Sequence, residues 1–242
     1  MPSFSIRNFG CRVNQAEAFA WAEAFRRGGL RLEDDPARSD LVVVNSCTLT
    51  ARADRDVRRF LEKIGRENPA ARVVVTGCGA SEALARAGTS PGVVLVVAND
   101  EKESLAEKVL NLAPRRGPGE GTAAAAVNGE PAGDFFRARA LLKIQDGCDN
   151  RCAFCVIPSV RGRSVSVGEE TILARVRDIV AAGYRELVLA GIHLSSYGAD
   201  LGPGHSLAGL LERVERIEGL GRIRLSSLDP RRTDEALTAG IA

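Results

Sequence analysis

A large excess of charge of either sign is missing from this chain. Its 242 residues carry 33 lysines and arginines against 31 acidic residues, a net charge of +2. That balance supplies no strong field to draw in a polyanion. Long apolar runs are missing too. No stretch reaches the about 18 uninterrupted apolar residues of a membrane-spanning helix. The opening MPSFSIRNFG has no basic head followed by an apolar run, so it does not read as a signal peptide. The expected compartment is the cytoplasm. Lysine is scarce, with only Lys63, Lys102, Lys108 and Lys143, so the basic character is arginine. Histidine is scarcer: His193 and His205 are the only two, and none falls in residues 1–112. A zinc site built on histidine therefore has little to draw on in the first half.

Cysteine is present. There are six, and in a reducing compartment metal or catalytic use outranks disulfides. Their setting is an alternation of short apolar runs and helical patterns. FSIRNF (4–9), LVVVN (41–45), VVVT (73–76) and VVLVV (93–97) read as strands. Helices are expected over 14–29, 50–68, 81–88 and 101–112, the second with Val57, Phe60, Leu61 and Ile64 on one stripe. Strands without polar alternation, separated by helices, predict a parallel sheet covered on both faces. Residues 113–134 are rich in Gly, Pro and Ala and read as a mobile linker. A second alternation follows: strands at 140–145, 186–191 and 222–227, with helices at 167–183 and 206–219. The expected class is α/β, in three parts: a domain over 1–112, the linker over 113–134, and an incomplete barrel over 135–242. Three strands cannot close a barrel, so the second part is either small and open or a piece of a longer domain.

Cys11, Cys47 and Cys78 each come just past the end of a predicted strand. Parallel sheets hold their ligands along that edge. Residues far apart in sequence are thereby expected to converge. Gly10 and Gly77, directly before two of the thiols, allow tight turns there. The bland alternative is three unrelated buried cysteines. The other triad is contiguous: GCDNRCAFCVIP (147–158) spaces Cys148, Cys152 and Cys155 as C-x3-C-x2-C. Such spacing wraps an iron–sulfur cluster. Three thiolates on four irons leave one open coordination position, which is where metal chemistry takes place. A zinc knuckle completed by His193 is the competing reading.

These cysteine patterns, with the aromatic Phe154 before the last thiol, resemble the radical S-adenosylmethionine enzymes. KIQDGCDNRCAFCVIPSVRGRSVS (143–166) is similar to the methylthiotransferase subgroup. So are NFGCRVNQAEA (8–18), VVNSCTLTARADRDVR (43–58) and VVVTGCGA (73–80) in the first half. LAGIHLSSYG (189–198) and IRLSSLDP (223–230) point to the branch acting on tRNA threonylcarbamoyladenosine. Sister branches act on isopentenyladenosine in tRNA or on an aspartate of a ribosomal protein.

The resemblance implies two [4Fe–4S] clusters and S-adenosylmethionine as cofactors. The cluster on Cys148, Cys152 and Cys155 would bind S-adenosylmethionine, with Phe154 near its adenine. On one-electron reduction the resulting radical would take hydrogen from adenosine C2. The cluster on Cys11, Cys47 and Cys78 would carry the sulfur, and a second S-adenosylmethionine the methyl group. Implied partners are tRNA and a one-electron donor of the flavodoxin or ferredoxin type, with no DNA and no membrane. No residue beyond the cluster ligands is assigned a catalytic role. The family carries a longer barrel and a small terminal RNA-binding domain, so the chain is expected to be a fragment or an incomplete product. A truncated iron–sulfur protein or electron carrier is the reading of another class. Gly79 stands where a larger residue often follows the third thiol. Arg161 is expected to order the cysteine loop or meet an anionic ligand. The charged face of RADRDVRRF is a solvated surface or an RNA contact. Arg224 and Ser226 face either a barrel interior or solvent.

Overall fold

A computed structural model describes residues 1–47, 51–80, 92–113, 139–233 and 235–241. The chain divides into two compact units, Met1–Phe135 and Phe136–Ala242. The helix expected over 81–88 and the linker after residue 113 lie outside the described residues. Among the described residues, no helix is long and apolar enough to cross a membrane.

The first unit is built on a five-stranded sheet of β1 (Ser3–Asn8), β2 (Arg31–Leu32), β3 (Leu41–Ser46), β4 (Arg72–Gly77) and β5 (Val93–Val96), in spatial order β2-β1-β3-β4-β5. Every pairing is parallel. The central β3 is buried along its whole length, which is why its residues run Leu-Val-Val-Val without polar alternation. Helix α1 (Arg12–Arg27) follows β1, α2 (Ala51–Glu67) follows β3, and α3 (Leu105–Leu112) follows β5. Val57, Leu61 and Ile64 of α2 pack on Val42, Val44, Val73 and Val75 of the sheet. The opposite side of α2 is solvated, with Lys63 and Glu67 paired at 3.6 Å and Arg58 paired to Asp54. Phe25 of α1 stacks edge-on against Phe4 of β1, ring centroids 5.1 Å apart.

The helix expected over 101–112 is shorter. Residues Asn99–Ser104 form a 3-10 turn and α3 begins at Leu105. The tighter turn carries Lys102 to Glu17 of α1, Nζ to Oε2 at 2.8 Å, with both side chains buried. That tie is tertiary and leaves no mark in the local periodicity. β2, also unexpected from the sequence, is a two-residue strand held at the sheet edge by pairing with β1.

The second unit has a three-stranded parallel sheet, β10-β9-β6, made of β6 (Ala140–Lys143), β9 (Glu186–Ala190) and β10 (Arg222–Leu225). Helices α5 (Glu169–Ala181) and α6 (Leu207–Glu215) precede β9 and β10. They bury Ile172, Val176, Leu210 and Val214. The strand expected over 140–145 ends at Lys143. Gln145–Asp146 form β7, which leaves the sheet and pairs antiparallel with β8 (Val165–Ser166). Between them sits a short helix, α4 (Ile157–Arg161). The β7–β8 ribbon closes both ends of the cysteine loop. On β10, Arg224 is exposed and paired with Glu186, so it faces solvent.

Candidate iron–sulfur sites

In the first unit the parallel register decides which thiols are neighbours. Ser46 pairs with Gly77, and Cys47 and Cys78 come next on their two strands. Strands lie about 4.8 Å apart, so these two thiols start from adjacent backbone. Asn8 of β1 pairs with Asn45 of β3, and Cys11 follows as the residue capping α1. All three cysteines thus sit at the carboxyl edge of three adjacent strands. Cys47 and Cys78 are buried and Cys11 is half-buried.

Directly behind them lies a polar network. The Cys11 thiol donates to Asn14 Oδ1 at 3.3 Å. Asn14 Nδ2 donates to Asn45 Oδ1 at 3.0 Å and to the Ser46 carbonyl at 3.1 Å. Asn45 Nδ2 returns a bond to the Asn14 carbonyl at 2.9 Å. Gly77 takes φ +104°, and a Cβ there would lie 2.2 Å from the Ser46 carbonyl oxygen. Only glycine fits this turn.

In the second unit the loop from Gly147 to Gly162 holds Cys148, Cys152 and Cys155. Its two ends are pinned together: the Cys148 amide donates to the Gly162 carbonyl at 3.1 Å. The Asn150 amide donates to Cys148 Sγ at 3.4 Å, and the Cys155 amide to the Cys152 carbonyl at 3.0 Å. The one N–H turned toward sulfur, that of Asn150, suits a thiolate better than a thiol. The middle of the loop is open. Cys152 is exposed, and Phe154 is 92% exposed, packed into nothing.

Two residues that sequence reasoning passed over organise this loop. Gln145 is fully buried and bonds on every side. Its Nε2 lies within 2.8 Å of the Asp146 and Gly147 carbonyls and 2.9 Å of Ser164 Oγ, while its Oε1 accepts from the His193 amide at 2.9 Å. Asp146 receives Arg161 Nη1 at 2.8 and 3.0 Å, Lys143 Nζ at 2.9 Å and the Gly147 amide at 2.8 Å. A Gln-Asp pair directly before a cysteine loop was the signal available. Arg161 orders the loop: its side chain is fully buried and paired with Asp146.

Burial by itself would raise the Asp146 carboxyl. Arg161 and then Lys143 outweigh it and hold it down to about 2. A depressed carboxyl stabilises the fold above its unfolded pKa, about 4, and loses that contribution as pH falls through about 2. Asp146→Ala is therefore expected to cost about 3–5 kcal/mol at pH 7, because it strips the carboxylate from a buried guanidinium. Most of the difference from the parent chain should vanish by about pH 2. Urea unfolding at pH 7, 4 and 2.5 checks both; an equal loss at every pH would contradict the electrostatic account.

A cleft beside Cys152 is lined by Asn150, Arg151, Asp229 and Arg231. Arg231 is held over it by Asp229, Nη2 to Oδ2 at 3.1 Å and Nε to Oδ1 at 3.2 Å. His193, expected as a fourth zinc ligand in the competing reading, turns its Nε2 to Asp229 Oδ2 at 3.6 Å. Among the described residues, no three Cys, His, Asp or Glu side chains are gathered tightly enough for one metal ion. No disulfide forms among the six cysteines. A cluster asks for something wider than a single ion does: one thiolate for each of several irons. Two sets of three thiols, one on the loops after three adjacent strands and one within a single loop, fit that donor set.

Comparison with known proteins finds similar sequences over nearly the whole chain. Residues 3–98 match the uncharacterized protein family UPF0004. The threonylcarbamoyladenosine tRNA methylthiotransferase MtaB of Bacillus subtilis is 35% identical over 98% of this chain and 54% of its own length. This chain is similar to that methylthiotransferase over about half of the latter's length. The Chlamydia pneumoniae protein of the same name is 37% identical over 94% of the chain and 51% of its own. A tRNA-2-methylthio-N(6)-dimethylallyladenosine synthase of Moorella thermoacetica is 31% identical over 95% and 54%. The chain spans about half the length of these relatives. In fold it resembles TsrM of Kitasatospora setae, a radical S-adenosylmethionine methyltransferase solved with tryptophan and a cofactor analogue, at a TM-score of 0.60 and 17% identity. That likeness covers 100% of this chain and 57% of the other. The α/β architecture expected from the sequence is the one found.

Proposed function

We propose that this chain carries the two iron–sulfur units of a radical S-adenosylmethionine methylthiotransferase acting on threonylcarbamoyladenosine 37 of tRNA. One observation carries the reading: two separate parallel sheets each present three thiols at their carboxyl edge. Cys148, Cys152 and Cys155 would hold the cluster that meets S-adenosylmethionine, and Cys11, Cys47 and Cys78 the cluster that supplies sulfur. When bound, the clusters and two molecules of S-adenosylmethionine would between them supply the electron path, radical, sulfur and methyl group needed to replace hydrogen at adenosine C2 by a methylthio group.

The chain's own residues do the positioning. The β7–β8 ribbon, with Gln145 and Asp146 at its base, fixes where the cysteine loop starts and ends. The exposed middle of the loop leaves Cys152 open to a ligand from solvent. Arg231 and Arg151 place positive charge in the cleft next to it, which suits a carboxylate. The buried thiols of the first unit suit a sulfur donor kept from water. A flavodoxin- or ferredoxin-type reductant and tRNA are the partners this chemistry requires. The exposed arginines of α2, among them Arg52 and Arg58, are the surface we assign to RNA phosphate.

Anaerobic reconstitution tests the reading. About eight irons per chain are expected, with 5′-deoxyadenosine and methionine released from S-adenosylmethionine on reduction. Iron bound without cleavage would favour an electron carrier, and zinc in place of iron would defeat both. Mass spectrometry of tRNA nucleosides from a deletion strain separates the branches. Loss of the methylthio-threonylcarbamoyl nucleoside supports this one; its persistence, with loss of the isopentenyl product, moves the assignment to the sister branch.

A further inference from the structure

Resting on the reading of Cys11, Cys47 and Cys78 as cluster ligands, we infer that Asn14, partnered by Asn45, is the positioning residue that sets Cys11 against the other two thiols.

Cys11 occupies the capping position of α1, yet its side chain makes no capping bond. The thiol turns instead to Asn14 Oδ1, 3.3 Å away. Asn14 is in the first turn of the same helix, and its amide crosses to Asn45 Oδ1 and the Ser46 carbonyl. Those are the two residues immediately before Cys47. Ser46 Oγ then donates to the Thr76 carbonyl at 2.6 Å, two residues before Cys78. One chain of hydrogen bonds therefore links the Cys11 thiol, through Asn14, to the backbone in front of Cys47 and Cys78. Asn14 and Asn45 are both fully buried. Buried amides are costly unless satisfied, and an apolar side chain of the same size would fill the space without that demand. What amides add is directional register between α1 and two strands.

The glycines before two of the thiols support the same role. A Cβ on Gly10 would lie 2.4 Å from Asn14 Cγ. A Cβ on Gly77 would lie 2.7 Å from Asn45 Oδ1. Each glycine clears the space that one of the two amides occupies. The Gly-Cys pairs thus serve two ends, a turn for the chain and room for the asparagines.

The test uses the full chain with Cys148, Cys152 and Cys155 changed to serine, so that only the first triad can take iron. The parent is expected to bind about four irons on anaerobic reconstitution with iron and sulfide. Asn14→Ala removes the amide, and Asn14→Gln keeps it but shifts it by one methylene. Both are read by iron content, by the electron paramagnetic resonance spectrum of the reduced cluster, and by the thermal melt of the metal-free chain. The inference expects at least a roughly threefold fall in iron or an altered spectrum in a variant that still melts cooperatively. Full iron and an unchanged spectrum in a folded variant would overturn it. Failure of both variants to fold would also overturn it, by making Asn14 a folding determinant and no more. A parent that takes up no iron would instead defeat the reading of this triad, and the inference with it.

Discussion

Cys152→Ala is expected to abolish cleavage of S-adenosylmethionine while the first triad keeps its iron, and Cys47→Ala to do the reverse. The two triads lie in separate units on separate sheets. Each variant should therefore lose about four of about eight irons, because a cluster missing one of three thiolates is not retained. With Cys152→Ala, 5′-deoxyadenosine release should fall at least about a thousandfold, some 4 kcal/mol in barrier terms. With Cys47→Ala, release should stay within about twofold of the parent, while transfer of the methylthio group to tRNA is lost. Iron analysis, product chromatography and nucleoside mass spectrometry give the three readings. The division of labour fails if Cys47→Ala stops cleavage as completely as Cys152→Ala does.

Gly147→Ala is expected to be the most damaging single methyl group in the cysteine loop. Gly147 takes φ +67°, and its Cβ would come 1.8 Å from the Arg163 carbonyl oxygen and 2.8 Å from that of Gly162. Both are backbone atoms, and the strand they lead into is held by the β7–β8 ladder, Asp146 opposite Val165. Nothing flexible can give way. Gly162 offers the control within the same loop, with φ +74° and open space around its Cβ. Gly162→Ala should cost about 1–3 kcal/mol, the cost of a backbone conformation, φ +74° and ψ −158°, that is nearly restricted to glycine. Gly147→Ala should cost at least about 3 kcal/mol more, in the range reserved for overpacking against fixed structure. Urea denaturation measures both. Equal losses would mean that the loop ends can part without consequence, and that the ribbon does not clamp them.

The strand and helix order of both units was legible because buried parallel strands leave unbroken β-branched runs and their covering helices leave periodic stripes. Val42 to Val44 and Val73 to Val75 announce themselves; so do Val57, Leu61 and Ile64. The elements that were not legible are those fixed by partners distant in sequence. β8 is two residues long and exists because Gln145 and Asp146 lie opposite it. The 3-10 turn before α3 exists because Lys102 must reach Glu17. Arg161 was open in sequence between ordering the loop and meeting an anion, and its buried pairing with Asp146 is a contact the local pattern does not show.

The sequence by itself determined the arrangement of the thiols: six cysteines in two sets of three, one spaced C-x3-C-x2-C and one placed after three strands. Spacing along a chain is enough for that, because a local loop and a repeating strand–helix unit both leave fixed intervals. Tertiary structure decided what holds each set in place. The pairing of Ser46 with Gly77 makes Cys47 and Cys78 neighbours, and the Asn14–Asn45 contact ties Cys11 to them. Such contacts join residues about thirty apart whose identities, Asn and Ser and Gly, carry no pattern of their own. Their meaning comes from the space they share once the sheet has formed.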